Sequence, residues 1–122
     1  IDFFAYSPLS FGILCIDPDK EENKEKSFIR NALFENYKKP TYELRRCLKR
    51  IANQRSVSQA QVAINWCCYQ GAIPLVGMRK KSQVIDVSNV FKWNLNKSEF
   101  KVLQEVSKKC LTKMPKNPFS SI

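Results

Sequence analysis

Histidine is absent from the 122 residues. That removes the commonest acid–base group and the commonest metal ligand from any chemistry these residues could run by themselves. Glycine is scarce: Gly12, Gly71 and Gly77 are the only three, and their spacing excludes both a Walker loop and a GxGxxG fingerprint. The five cysteines form no CxxC and match no metal spacing. They read as reduced, buried thiols of a reducing compartment. No apolar run approaches the roughly 20 residues that a membrane helix needs. The opening "IDFFAYSPLSFGIL" lacks the basic leader of a signal peptide. It starts on Ile1, in what reads as the middle of a strand, so a piece of a longer protein is expected. Acidic residues are few, 11 against 21 Lys and Arg, for a formal charge of +10.

What is present suits a globular fold. At 43% hydrophobic the chain can build a core, and its length fits one domain or part of one. Residues 1–9 predict a buried strand ended by Pro8. Residues 10–40 hold no steady period; "DPDKEENKEK" reads as a charged, mobile loop and "SFIRNALFENY" as a short helix. Residues 42–55 predict a helix capped by Thr41. Leu44, Leu48 and Ile51 form its apolar stripe, with Arg45, Arg46, Lys49 and Arg50 opposite. Ser58 and Gln61 have capping-box spacing, and "AQVAINWCCYQ" is apolar almost all round, the pattern of a buried helix that stops at Gly71.

The apolar run 72–76 predicts a strand covered on both faces, as in a parallel sheet under helices. Residues 82–91 predict a helix with Val84, Val87, Ser88 and Phe91 in line. Asn96 and Glu99 open a last helix that buries Phe100, Leu103 and Val106, and residues 111–122 form a proline-broken tail. Trp66 and Trp93 read as packing residues. This rhythm of strands and helices is α/β.

In such a fold the loop after a parallel strand faces the ligand side. Here that loop is "VGMRKK". Gly77 lets the backbone approach a ligand, the next helix offers unpaired N–H groups, and Arg79 and Lys80 add full charges. A phosphate suits this arrangement; a solvated basic loop is the plainer alternative. The charge also invites a nucleic-acid partner, and "LKRIANQRSVSQAQVAIN" has the outline of a helix-turn-helix. Its second helix, however, continues as "AINWCCYQ", which asks for burial where a groove-reading helix needs a polar face.

"FFAYSPLSFGIL" followed by "SQAQVAINWCCYQGAIPLVGMRKKSQVIDVSNVFKWNLNKSEFKVL" resembles the C-terminal portion of an aldo-keto reductase of the bacterial and plastid-type branch. The resemblance implies the last two strands of a (β/α)8 TIM barrel, their helices and an added C-terminal helix, not a complete barrel. It implies NADP(H) as cofactor and a small-molecule carbonyl as substrate of the full-length protein, with no metal and no membrane. Tyr6 would stack on the nicotinamide. Ser7, Pro8, Leu9 and Ser10 match the loop along the pyrophosphate, and Gly12 the glycine that turns it. Gly77, Met78, Arg79 and Lys80 match the segment that holds the adenosine 2′-phosphate. Gln83 and Asp86 match polar contacts to that phosphate and to the adenine.

The chain departs from the family pattern in three ways. Val87 stands where an asparagine is usual, and "LCIDPD" replaces the usual "LTGKY". The catalytic Asp, Tyr, Lys and His of the family lie on earlier strands, and none maps onto this chain. Tyr37, Lys38 and Tyr42 lie in a loop or at a helix start and are not expected to act as substitutes. The expected function is therefore carbonyl or aldehyde reduction by the full-length parent, with this segment binding the cofactor and inactive alone. A non-catalytic remnant or interaction module is the alternative. The expected compartment is cytoplasmic, or an organelle if an upstream targeting peptide exists.

Overall fold

The computed structural model describes residues 2–6, 14–19 and 35–112. Among them the order is β1 (Phe3–Tyr6), α1 (Tyr42–Arg55), α2 (Gln59–Tyr69), β2 (Ala72–Leu75), α3 (Lys81–Ser88), a 3-10 turn (Asn89–Lys92) and α4 (Lys97–Leu111). The strands pair in parallel, with Phe3 beside Ala72 and Tyr6 beside Leu75. The described residues thus form a mostly helical α/β unit with two parallel strands and no closed barrel.

The core lies among the helices. Leu44, Leu48, Ile51 and Ala52 of α1 meet Val62 and Ala63 of α2 and Leu103 and Cys110 of α4, with Leu14 and Leu95 closing the cluster. Leu48, Val62 and Leu103 are completely buried. The α1 stripe is therefore where its 3.6-residue period puts it.

Helix ends follow local chemistry. Ser58 Oγ accepts the Gln61 amide at 3.1 Å, and Asn96 and Glu99 exchange both capping bonds, at 2.8 and 2.9 Å. Gly71 sits at φ +81°, the left-handed geometry expected of a helix stop. Between α1 and α2, Ser56 takes the same region without being a glycine, at φ 55° and ψ 43°.

Several expectations are corrected. Among the described residues the strands are not covered on both faces: Phe3, Phe4, Ile73 and Leu75 are exposed, and each strand has one described neighbour in the sheet. Arg45 is not on a solvated face; it is buried, with Nη2 donating to the Lys38 carbonyl at 2.6 Å and Nε to Thr41 Oγ1 at 3.2 Å. Thr41 occupies the N-cap of α1 but caps with no side-chain bond; its hydroxyl donates to the Tyr37 carbonyl at 2.6 Å.

The helix expected over 82–91 ends at Ser88, and the 3-10 turn after it buries Val90 and leaves Phe91 83% exposed. Phe100 and Val106 are half-buried; Leu103 and Cys110 carry the buried face of α4. Of the five free thiols, Cys47 and Cys110 are buried, while Cys15 is exposed and Cys67 and Cys68 are half-buried. Within 10–40, residues 14–19 are anchored: Lys49 Nζ bridges Asp17 and Asp19 at 2.7 Å each, and Gln59 Nε2 donates to the Leu14 and Ile16 carbonyls.

Candidate functional site

Parallel pairing puts the carboxyl ends of β1 and β2 on one side of the sheet, Tyr6 level with Leu75. The chain leaves β2 through Val76 and Gly77 and enters α3 at Lys81. Gly77 has no positive φ, and a Cβ built on it would meet nothing within 4 Å. Among the described residues, nothing therefore requires a glycine at this position. Met78, Arg79 and Lys80 are exposed, and among the described residues no carboxylate pairs with either cation.

Gln83 holds this loop. Its Oε1 accepts the Arg79 amide at 2.8 Å and the Lys80 amide at 3.0 Å, satisfying two donors at the amino end of α3. Among the described residues, the Lys81 and Ser82 amides have no acceptor. Two free amides, a helix's positive end and two unpaired side-chain cations converge at one loop, an arrangement that attracts an anion with several oxygens.

No residue of α3 is fully buried among the described residues; Asp86 and Val87 are half-buried. A polar grip holds the helix. Asp86 Oδ2 accepts from Ser58 Oγ at 2.6 Å, and Oδ1 from Gln61 Nε2 at 2.7 Å. Gln61 Oε1 in turn accepts Trp93 Nε1–H at 3.0 Å. Buried Asn65 secures the chain after α3, donating to the Val90 and Trp93 carbonyls and accepting the Leu95 amide. Sequence reasoning missed Ser58, Gln61 and Asn65 as supports of this site. A lone amide inside "VAINWCC" was the available signal, because a buried polar group needs partners.

Of the residues expected to bind the cofactor, Gly77, Met78, Arg79, Lys80 and Gln83 lie together at the entrance to α3, and Asp86 lies one helical turn beyond Gln83. Tyr6 ends β1 on the same side. Ser7, Pro8, Leu9, Ser10 and Gly12 fall outside the described residues. Val87 is half-buried. Tyr42 packs against the guanidinium groups of Arg45 and Arg46, 5.9 and 5.8 Å from its ring centre. Among the described residues, no group of three or more Cys, Asp or Glu could hold a metal ion, and no helix is long and apolar enough to cross a membrane.

The sequence model of the aldo/keto reductase family matches residues 1–108. A chloroplastic pyridoxal reductase from Arabidopsis thaliana is 30% identical over 121 residues, an alignment that takes in 99% of this chain and 33% of the plant protein. The chain spans about a third of the length of that curated relative.

Proposed function

The chain belongs to the aldo/keto reductase family, and we propose that it supplies the cofactor-phosphate end of an NADP(H)-dependent carbonyl reductase. The observation that carries this reading is the loop of residues 76–80. It combines a glycine that no described neighbour requires with the two cations Arg79 and Lys80, next to the Lys81 and Ser82 amides of the first turn of α3, which have no described partner. The residues present suit an adenosine 2′-phosphate: Arg79 can meet it in a fork of two N–H groups and Lys80 as a point charge. Gln83 keeps the loop backbone in place for both. Tyr6, at the same edge, is suited to stack on the nicotinamide, and residues 7–10 and Gly12 to follow the pyrophosphate.

When bound, the nucleotide supplies the hydride. This chain's own residues bind and orient it, the usual division between protein and cofactor. The proton donor in this reading is a tyrosine outside these residues, since the chain holds no histidine and none of the family's catalytic residues maps onto it. The relative named as a pyridoxal reductase supports an aldehyde or related small carbonyl compound as the substrate class.

The test is Arg79→Glu in the full-length protein, with NADPH and NADH affinities measured by nucleotide fluorescence. Losing a charge-assisted contact weakens NADPH binding by about tenfold to a hundredfold, while NADH, which lacks the phosphate, changes little. Equal losses for both nucleotides would overturn the 2′-phosphate assignment.

A further inference from the structure

The family resemblance makes Asp86 a direct contact to the adenine. The hydrogen bonds around it point elsewhere. Both carboxylate oxygens already accept bonds from α2, one from Ser58 Oγ at 2.6 Å and one from Gln61 Nε2 at 2.7 Å. Gln61 is itself 5% exposed and held by Trp93, so its amide cannot turn away without leaving a buried group unpaired. Ser58 is fixed as the N-cap of α2. The partners of Asp86 are thus rigid, and the helix that carries Asp86 has no buried residue of its own.

We infer that Ser58, Gln61 and Asp86 form a polar clamp that positions the amino end of α3, and that it sets the nucleotide preference of the phosphate loop without touching the nucleotide. An eight-residue helix with no fully buried residue among the described contacts depends on its polar bonds to fix its rotation and tilt. A tilt moves the Lys81 and Ser82 amides and the Gln83 side chain that orders the Arg79 and Lys80 backbone. Donors aimed at a fixed anion lose strength steeply with misalignment, so the aim of α3 becomes a term in phosphate affinity. Asp86 is the joint: it grips α2 by two bonds, and Gln83, three residues earlier on the same helix, grips the loop.

This rests on the reading that residues 76–80 meet a nucleotide phosphate, and the test separates the two. In the full-length protein, Ser58→Ala, Gln61→Met, Asp86→Asn and Ser58→Thr are compared by two readouts. One is amide hydrogen exchange along α3 without nucleotide; the other is NADPH and NADH affinity by fluorescence titration. The clamp predicts roughly tenfold faster α3 exchange and roughly tenfold weaker NADPH binding in the first three variants, with NADH affected less. Ser58→Thr keeps the hydroxyl and stays near wild type. The double variant Ser58→Ala/Asp86→Asn is no worse than Asp86→Asn alone, because one joint can be broken only once.

Normal NADPH affinity in Ser58→Ala and Gln61→Met, with loss in Asp86→Asn only, would make Asp86 a direct contact and overturn the clamp. Unchanged α3 exchange in all variants would overturn it too, as would faster exchange with unchanged affinity. A failed phosphate reading shows differently: Arg79→Glu then treats both nucleotides alike while α3 exchange still rises in Ser58→Ala. Where Ser58→Ala costs folding through its lost N-cap, Asp86→Asn leaves that cap intact and decides alone by its exchange.

Discussion

Replacing Glu99 by Gln tests how far the helical layer is held by one ion pair. Arg55, at the end of α1, meets Glu99, at the start of α4, by two parallel bonds: Nε to Oε1 and Nη2 to Oε2, both 2.9 Å. The Glu99 side chain is 13% exposed and that of Arg55 33%. An open surface pair contributes about 0–1 kcal/mol. The forked geometry and partial shelter of this one raise the expectation to about 1–2 kcal/mol. Glu99→Gln keeps the shape but removes the charge and turns one accepting oxygen into a donor. A double-mutant cycle with Arg55→Met, followed by urea unfolding, should return a coupling of about 1 kcal/mol.

The pH dependence has a fixed sign. Burial pushes the Glu99 carboxyl up, but the Arg55 hydrogen bonds, the Asn96 amide and the Arg55 charge outweigh it and hold the group below its usual 4.5. A carboxyl lowered in the folded state stabilises above its unfolded value. The gap between wild type and Glu99→Gln is therefore full above about pH 4.5 and shrinks as pH falls through the lower folded value. A coupling indistinguishable from zero, or a gap that persists unchanged well below that value, would refute the reasoning.

Two further substitutions probe the same layer. Ser56→Gly removes a side chain from a left-handed position, φ 55°, and should raise stability by up to about 1 kcal/mol, read as a higher melting temperature. Asn65→Leu strands the Val90 and Trp93 carbonyls and the Leu95 amide. It should cost about 2–4 kcal/mol in urea unfolding, and a loss below about 0.5 kcal/mol would show that those groups find other partners.

Periodicity and capping chemistry made α1, both box-like helix starts and the Gly71 stop legible before any coordinates, because each is decided within a few residues. Other features lay beyond that range. Arg45 reads as polar surface by spacing, yet it is buried because the turn before α1 offers it the Lys38 carbonyl and the Thr41 hydroxyl. Phe91 reads as core on a 3.6-residue period, but the chain tightens to about three residues per turn after Ser88, which swings Val90 inward and Phe91 out.

Asp86 is the instructive case for the site. A carboxylate on a short helix near a basic loop suits a ligand contact or a strut equally well in sequence. The choice depends on Ser58 and Gln61, which lie far from it along the chain. The loop proposed to meet a phosphate could be singled out in the sequence because its parts, Gly77 to Gln83, are contiguous. The continuous apolar runs of β1 and β2 announced strands correctly, but whether a strand is covered depends on neighbours that its own sequence does not name.

The parallel register of Phe3 with Ala72 also has a kinetic meaning. Two strands so distant in the chain meet only after a long loop has closed, and that entropy is spent before any ladder bond returns it. The helices between them need no such search: α1 and α2 are separated by a three-residue turn and share a core. The order of assembly follows, with the helical layer condensing first and carrying β2 on its end. The sheet edge, where Tyr6 and the loop after β2 lie on one side, is then expected to be the last part of the described unit to form.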